Sequence, residues 1–380
     1  MPTSLLRVAS FNTQLLARPG VPFHEQLPYT PEEYEAKTGF IGALLARGQV
    51  DIVGFQEVFH EDALRHAVDK APRLKGAYVC APLADDNGPK SADGALSAPR
   101  VGFASRLPVI KMESIRAFPA GLGNGFAVRR NANGRQEAVP VAIGFFERPV
   151  LRVEVSLPNG VALSVYVVHL KSRRPVVLED EDRRDPAVRA LAVVRALVQR
   201  AAEAAALRVM LTRELDGRGA EARPVMVLGD LNDELTSVTT ELVRGEQPLP
   251  ESLKPLMVDP GDWQRKNRWL WDLHLYAASD QQASHIKGTT LYTHIHFGDY
   301  QVLDHILFSQ EFYSRNPAKI GDFRYLQVYN DHVVDTHMTD INRNVRTASD
   351  HGVPVAEFTL RAPSSVHEEA SARHPQDNPA

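Results

Sequence analysis

Short runs of apolar residues alternate with turn-forming residues along almost the whole chain. Each run is rich in β-branched or aromatic side chains and is bounded by Gly, Pro, Asn or Asp, a pattern that is typical of β-strands. The predicted strands cover residues 5–11, 50–55, 100–104, 139–146, 151–156, 161–168, 225–228, 302–308 and 353–358. The sequence Leu-Pro-Asn-Gly at residues 157–160 predicts a hairpin turn between two of these strands.

Two segments with helical spacing lie between the strands. Thr30, Pro31 and the carboxylates that follow them form a typical helix start, and they predict a helix that runs to about Arg47. Asp185 and Pro186 open a longer segment with apolar residues at helical spacing, which predicts a second helix over about residues 187–215.

The pattern indicates a single folded unit followed by a tail. Strands are predicted from the first to the last patterned segment, and no linker rich in Pro or Ser divides the chain. We therefore expect one domain over residues 1–362. Residues 363–380 have no apolar period and are rich in Pro, Ser, His, Glu and Asp, so we expect a disordered tail.

Composition narrows the function classes only slightly. The 380 residues include 43 Lys and Arg against 47 Asp and Glu, a formal net charge of −4, which excludes a binder that works by overall positive charge but leaves room for a basic cleft. The single cysteine, Cys80, has no partner for an intramolecular disulfide or a thiolate zinc site. No membrane-spanning run and no signal peptide are visible, so we expect a cytoplasmic protein without membrane insertion, although a removed leader would leave secretion open. No protein partner is indicated.

Polar and ionisable side chains follow the apolar runs at six separate points. They are Asn12, Glu57, His169, Asp230, Asn232, Asp304, Asp350 and His351. Any one of them has a structural explanation, since a strand-end Asp commonly caps a turn and a lone His is commonly a packed residue. Together they indicate a functional site, because each of these side chains costs free energy when it is buried without a partner. Convergence of such groups at one rim of a sheet is how a rigid scaffold builds an active site.

The ordered motifs resemble those of the endonuclease/exonuclease/phosphatase family, which includes the DNase I-like nucleases. The motifs are Ser10-Phe11-Asn12, Gln56-Glu57, Val101 to Arg106, His169-Leu170-Lys171-Ser172, Gly229-Asp230-Leu231-Asn232, Leu303-Asp304-His305 and Ser349-Asp350-His351. Each is short, but their order over about residues 5–360 is specific. The resemblance implies an α/β (α+β) four-layered sandwich, in which two mixed β-sheets pack face to face with helices on both outer faces.

The resemblance also implies a metal site. Glu57 matches the main Mg²⁺ carboxylate of the family, and Mn²⁺ is expected to substitute for Mg²⁺. Asn12 and Asp350 match positions on the metal side of the site. Gln14 departs from the family pattern, since many abasic-site endonucleases carry a second acidic ligand there.

Catalytic roles are implied in the same way. Asp230 and Asn232 match the pair that orients or deprotonates the attacking water and holds the phosphate. His169 matches a donor to the phosphoryl oxygens, and His351 matches the essential histidine near the scissile phosphate. Asp304 would orient His351 and stabilise its protonated form.

The sequence leaves the substrate open. We expect hydrolysis of phosphodiester bonds in nucleic acid, with Lys171, Arg173 and Tyr292 as substrate-binding residues. The alternative is a small phosphorylated metabolite or a phospholipid head group, which the net charge of −4 favours. A non-catalytic binding module is disfavoured because every principal position holds a competent residue. A nuclease should have a basic groove beside Glu57 and His351, whereas the alternative should have a narrow closed pocket.

Two further clusters have both a functional and a structural interpretation. The first consists of His285, His294, His296 and His305, which either form an imidazole metal site or lie in a loop and strand near the cleft. The second consists of Trp263, Arg265, Lys266, Arg268, Trp269 and Trp271, which either contact nucleic acid or anchor a helix on the core. The structural interpretation is favoured for both.

Overall fold

The computed structural model describes residues 4–23, 27–82, 98–122, 126–139, 142–216, 224–248, 267, 269–285, 291–335 and 346–362. The predicted disordered tail, residues 363–380, lies outside the described residues. None of the helices within these ranges combines the length and apolar character needed to cross a membrane.

The described residues form the following strands and helices. The strands are β1 Ser4–Leu16, β2 Ile52–Val58, β3 Tyr78–Cys80, β4 Arg100–Ser105, β5 Val109–Ala117, β6 Ala127–Arg130, β7 Gln136–Val139, β8 Phe145–Ser156, β9 Ala162–His169, β10 Val225–Asp230, β11 Tyr276–Ala277, β12 His294–His296, β13 Asp299–Gln301, β14 Asp304–Phe308, β15 Gly321–Tyr329 and β16 Val353–Leu360. The α-helices are α1 Pro31–Gly48, α2 Glu61–Asp69, α3 Pro186–Asp216, α4 Val238–Arg244 and α5 Ala278–His285.

Two six-stranded mixed sheets form the centre of the molecule. One has the strand order β15-β16-β1-β2-β4-β3 and the other β11-β14-β10-β9-β8-β5. The facing sides share one apolar core, to which Leu6 and Phe103 contribute from the first sheet and Val165 and Leu228 from the second. A second core joins the first sheet to α1 and α2, and a third joins the second sheet to α3. The predicted four-layered α/β sandwich is confirmed.

Both predicted helices are confirmed. At the start of α1 the Thr30 hydroxyl accepts a hydrogen bond from the Glu33 backbone N–H at 3.1 Å, and the Glu33 carboxylate accepts one from the Thr30 N–H at 3.0 Å. This reciprocal cap satisfies two backbone donors that would otherwise lack partners. At the start of α3 the Asp185 side chain accepts from the Ala187 N–H at 2.8 Å.

One strand prediction was wrong in its details. Residues 139–146 do not form one strand, because β7 ends at Val139 and β8 begins at Phe145 and continues through the predicted 151–156 strand. Pro149 is tolerated inside β8 because the register with β5 shifts between Ile115 and Ala117, and β9 begins to pair only at Leu151. Strands β5 and β15 are among those that were missed; β5 is mostly exposed, and Lys111, Glu113 and Arg116 interrupt its apolar residues.

The strand directions place several chain segments at one rim. In the first sheet β1 and β2 are parallel, and their last regular pair joins Asn12 to Gln56. In the second sheet β9 and β10 are parallel, and their last pair joins His169 to Asp230. Strand β14 runs antiparallel to β10, so that its first residue, Asp304, lies opposite Asp230. The two sheets therefore present these side chains at a common edge.

Candidate active site

Asp230 stands at the centre of a cluster of polar side chains at this rim. Its side chain is buried, and its Oδ1 accepts a hydrogen bond from the backbone N–H of Asn232 at 2.8 Å. Its Oδ2 accepts one from Nδ2 of Asn12 at 3.1 Å. The same Oδ2 lies 3.5 Å from Nε2 of His169 and 3.9 Å from Nε2 of His351. Residues from four separate segments, all predicted from the sequence, therefore meet at Asp230.

His351 is held from its other ring nitrogen by Asp304. Its Nδ1 lies 2.7 Å from Oδ2 of Asp304, and both residues are buried. Asp304 is fixed in turn because its backbone N–H and that of Leu303 donate to Oγ1 of Thr293 at 3.1 and 3.0 Å. Burial acts to lower the pKa of His351, but the Asp304 carboxylate outweighs burial and holds this pKa well above its usual value. His351 is therefore a cation at neutral pH.

The two other titratable groups at the centre have perturbed pKa values as well. Burial, with the nearby Asp304 carboxylate, raises the pKa of Asp230 to about 7. Burial and the charge of Arg148 hold the pKa of His169 well below its usual value, so His169 is neutral. A carboxyl group that titrates near neutral pH is suited to accept a proton from water. The cluster thus combines a candidate base with an adjacent imidazolium.

The end of β1 departs from regular strand geometry where it reaches the site. Gln14 and Leu15 have φ angles of 50° and 63°, and Glu57 on the neighbouring strand has a φ of 62°. Left-handed backbone costs free energy in non-glycine residues and is concentrated at functional sites. Here it directs the Leu15 N–H to Oε2 of Glu57 at 3.1 Å, and the Gln14 N–H to Oδ1 of Asn12 at 3.0 Å. The distorted segment orients two of the predicted metal-side residues.

The segment before β16 brings Asp350 and His351 to the same place. The Asp350 backbone N–H donates to Oε1 of Gln14 at 3.1 Å. The Ser349 hydroxyl donates to the backbone carbonyl of Asn12 at 2.7 Å and accepts from the His351 N–H at 3.1 Å. Sequence reasoning gave Ser349 no role, although it stands in the motif that precedes β16. Its contacts tie His351 to the strand that carries Asn12.

Groups that could hold a divalent metal are present at the rim. Within the described ranges, two sets of three side chains have ligand atoms within 4.8 Å of one another: Asp230 with Asp304 and His351, and His294 with Asp350 and His351. Glu57 belongs to neither set, and its Oε1 lies 3.4 Å from Nδ2 of Asn12. Oδ1 of Asp304 is buried without a hydrogen-bond partner. Carboxylate oxygens with spare acceptor capacity suit a hard cation such as Mg²⁺. The assignment of Asn12, Glu57 and Asp350 as ligands stays a prediction.

The predicted substrate-binding residues lie around this centre, but two of them are already paired. Nζ of Lys171 lies 3.1 Å from the Glu147 carboxylate. The Arg173 guanidinium contacts Asp233 at 2.8 Å and donates to the Asn232 carbonyl at 3.0 Å. These ion pairs reduce the positive charge beside the site.

Tyr292 lies on the hairpin side of the site, next to Thr293. Its ring contacts the ring of Tyr300 edge-on, with centroids 4.8 Å apart. Tyr300 is 64% exposed, and the tip of the hairpin carries Phe297, which is 61% exposed. The hairpin formed by β12 and β13 therefore presents aromatic rings close to the cluster.

The histidine cluster considered from the sequence is only partly brought together. The His294 ring lies 5.0 Å from the His351 ring, and burial together with His351 lowers the pKa of His294 to about 4. Nε2 of His305 instead lies 2.8 Å from the carbonyl of Asp233. The side chain of His285 lies outside the described residues. His294 thus belongs with Asp350 and His351 rather than with a set of four imidazoles.

The tryptophan cluster supports the structural interpretation where it is described. The Trp271 ring lies 6.1 Å from the Tyr276 ring and 5.3 Å from the Tyr313 ring, and it packs against the main core. Trp269 is 49% exposed. The remaining members, Trp263, Arg265, Lys266 and Arg268, lie outside the described residues.

We predict that Asp304→Asn lowers the pKa of His351. The substitution keeps the side-chain volume and an oxygen acceptor but removes the negative charge. Burial then dominates, and the pKa of His351 should fall by about 1–3 pH units. NMR titration of the ¹⁵N-labelled histidine ring measures this pKa directly, with His66 of the same protein as an internal reference. An unchanged pKa for His351 would contradict the assigned interaction.

A family model described as the Endonuclease/Exonuclease/phosphatase family matches residues 9–351. The chain matches no curated protein.

Solved structures similar to this chain include the following three. An endonuclease/exonuclease/phosphatase from Bacteroides vulgatus is 13% identical with a TM-score of 0.49, and the match covers 94% of this chain and 100% of that chain. The human Nocturnin catalytic domain with bound sulfate is 16% identical with a TM-score of 0.49, covering 94% and 98%. A mannosyl-6-phosphatase from Bacteroides thetaiotaomicron is 14% identical with a TM-score of 0.47, covering 93% and 99%.

Proposed function

Because the chain belongs to the endonuclease/exonuclease/phosphatase family and is therefore a phosphoester hydrolase, we propose that it is a Mg²⁺-dependent phosphodiesterase acting on nucleic acid. One observation carries the proposal: the buried side chains of Asp230 and His351 lie 3.9 Å apart at the rim, and Asp304 contacts the other ring nitrogen of His351 at 2.7 Å and holds the His351 pKa well above its usual value. A phosphodiester is an anion that repels hydroxide, so its hydrolysis needs both a cation at the phosphate and a base at the attacking water.

The residues of this chain divide these tasks. Asp230 orients the attacking water and accepts its proton. His351 donates a charge-assisted hydrogen bond to a phosphate oxygen, and Asp304 keeps it protonated. Asn232 holds the phosphate, because its amide NH₂ donates one hydrogen to the Leu170 carbonyl at 2.9 Å and has the other left for substrate. Both amide hydrogens of Asn12 are directed at carboxylates, Asp230 at 3.1 Å and Glu57 at 3.4 Å, so Asn12 positions these two groups.

The metal fits the acidic character of the site. The family generally depends on a divalent metal, and Glu57, Asn12 and Asp350 are the residues that would hold Mg²⁺ here. When bound, Mg²⁺ supplies neutralisation of phosphate oxygens and stabilisation of the leaving oxygen. His169 lies beside Asp230 and is neutral because its pKa is lowered. Its Nδ1 is buried without a partner. We assign His169 as a further hydrogen-bond donor at the site.

The exposed rings of the β12–β13 hairpin favour a nucleic-acid substrate. Phe297 and Tyr300 are 61% and 64% exposed, and the hairpin is tied to the site because the Gly352 N–H donates to the Thr293 carbonyl at 2.7 Å. Exposed aromatic rings near a phosphate-binding centre are suited to stack on nucleobases. A nucleic-acid substrate would place a nucleobase against these rings.

A small phosphorylated metabolite or a phospholipid head group is the second candidate. The ion pairs of Lys171 with Glu147 and of Arg173 with Asp233 favour it, because they neutralise the positive charge of two basic residues beside the site. A protein binds a long nucleic-acid backbone mainly through basic side chains that contact the phosphates. A substrate with a single phosphate group needs only the central cluster.

We predict that hydrolysis of bis-p-nitrophenyl phosphate requires Mg²⁺ or Mn²⁺. Removal of the metal with excess EDTA should abolish turnover, and added Mg²⁺ should restore it, because the phosphate oxygens then regain a cation. Release of p-nitrophenolate measures the rate. Undiminished activity in EDTA would contradict the metal requirement.

The substrate class is tested by a panel of single- and double-stranded DNA, RNA, nucleotides, phosphosugars and phospholipids with Mg²⁺ present. A nuclease should cleave an oligonucleotide with a larger kcat/KM than any small phosphate ester. Preference for a phosphosugar or a phospholipid would overturn the nucleic-acid proposal in favour of the second candidate. The monoester p-nitrophenyl phosphate separates phosphatase from phosphodiesterase activity in the same assay.

A further inference from the structure

Lys37 is a fully buried lysine behind the active site that the mechanism does not use. It lies in α1, and its exposed fraction is 0%. An ammonium group at such a position costs considerable free energy unless it is hydrogen-bonded. A lysine on the inner face of a surface helix therefore calls for a specific explanation.

The Lys37 side chain joins two segments that are far apart in sequence. Its Nζ donates to the backbone carbonyl of Gln14 at 2.8 Å and to that of Ala348 at 2.5 Å. The first carbonyl belongs to the left-handed end of β1, and the second lies just before Asp350. An amine donates such bonds in either protonation state, so the connection does not depend on the charge of Lys37.

Both joined segments carry groups at the rim of the site. On the β1 side, the residue after Gln14 donates its backbone N–H to the Glu57 carboxylate. On the other side, Asp350 follows Ala348 by two residues, and its N–H donates to the Gln14 side chain. The two connections run in parallel, one through the Lys37 side chain and one through the Gln14 side chain.

The charge of Lys37 also faces the predicted metal ligands. Asp350 and Glu57 are the two carboxylates that interact favourably with the Lys37 ammonium. Burial lowers the pKa of Lys37 to about 7, so the connection rests on its two hydrogen bonds and not on its charge.

We propose that Lys37 is a positioning residue for the metal site: it holds the distorted end of β1 and the segment before Asp350 together, and thereby fixes Glu57 and Asp350 for a divalent metal. This inference rests on the metal dependence in the proposed function. Loss of the connection should lower metal affinity, because residues that orient metal ligands typically contribute about 10–100-fold in affinity.

The test is the affinity of the full-length protein for Mn²⁺, measured from the EPR signal of free Mn²⁺ without any substrate. Lys37→Met preserves the length and packing of the side chain but removes both hydrogen bonds, and we expect its Kd for Mn²⁺ to rise about tenfold or more. Lys37→Arg keeps donors at the same position and should recover part of the lost affinity. Lys37→Gln keeps a shorter donor and is expected to give an intermediate Kd.

The control is Lys70→Met. Lys70 Nζ also anchors α1, through Glu35 at 2.6 Å and Thr38 at 2.7 Å, but it contacts no residue of the site. Its loss should lower Tm without changing the Kd for Mn²⁺. A folded Lys37→Met protein with the wild-type Kd would overturn the proposal; if this variant does not fold, a wild-type Kd for Lys37→Gln overturns it. Failure of the wild-type protein to bind Mn²⁺ would instead refute the metal dependence itself.

Discussion

Replacing His351 by alanine is expected to lower kcat for phosphodiester hydrolysis on the order of 10³-fold, with the fold intact. The imidazolium is the one side-chain cation within the cluster around Asp230, as far as the described residues extend, and a donor of this kind contributes most when the phosphate charge is localised in the transition state. The substitution also leaves Asp304 without its partner. The comparison of kcat for the two proteins at saturating Mg²⁺ measures the effect.

Controls separate the loss of chemistry from a loss of structure. Circular dichroism and Tm should show a folded His351→Ala protein, and His351→Gln, which keeps most of the volume, should show a similar loss of kcat. His66→Ala removes a surface histidine on α2 that contacts Glu35 far from the site, so it should retain full activity. If His351→Ala turned over substrate at a rate near that of the wild type, His351 could not be the cation at the phosphate.

The fold was largely predictable because the chain marks its strands and their ends in a regular way. Parallel pairing of β1 with β2 and of β9 with β10 sets the carboxyl ends of four strands at one rim, and each of these ends carries a polar residue. The sequence places Asn12, Glu57, His169 and Asp230 at such ends. Their convergence then follows from sheet geometry, which is why most of the candidate site could be predicted before any distance was known.

The parts that could not be predicted depend on long-range contacts without a local pattern. Lys37 has the sequence surroundings of an ordinary helix residue, and only the tertiary structure places it against the Gln14 and Ala348 carbonyls. The left-handed backbone at Gln14 and Leu15 has no glycine to indicate it. Strand β5 lacks an apolar run because it is an edge strand and mostly exposed. In each case the contacts that determine the local structure are made with a different segment of the chain.

Glu57→Gln is the second substitution with a large expected effect, and it tests the metal ligand. We expect a weaker affinity for Mn²⁺ and a fall in kcat of about two to three orders of magnitude, because a ligand that helps to hold a charge-neutralising metal accounts for several kcal/mol of transition-state stabilisation. The amide oxygen of glutamine can still accept the Leu15 N–H, and the left-handed φ of 62° is equally accessible to both residues. The fold should therefore persist.

The matched control is Glu61→Gln, the same chemical change four residues further along. Glu61 lies at the start of α2, where its carboxylate contacts Arg65 at 3.3 Å and accepts the Ala81 N–H at 3.0 Å, so its loss should affect stability alone. Activity and Mn²⁺ affinity are measured together for both variants, because a ligand should affect both quantities and a structural carboxylate neither. Since Glu57 lies outside both sets of mutually close ligand atoms, the result is decisive for the site. Wild-type Mn²⁺ affinity in Glu57→Gln would transfer the metal to Asp350 with His294, or to Asp230 with Asp304, and the mechanism would have to be rebuilt around that position.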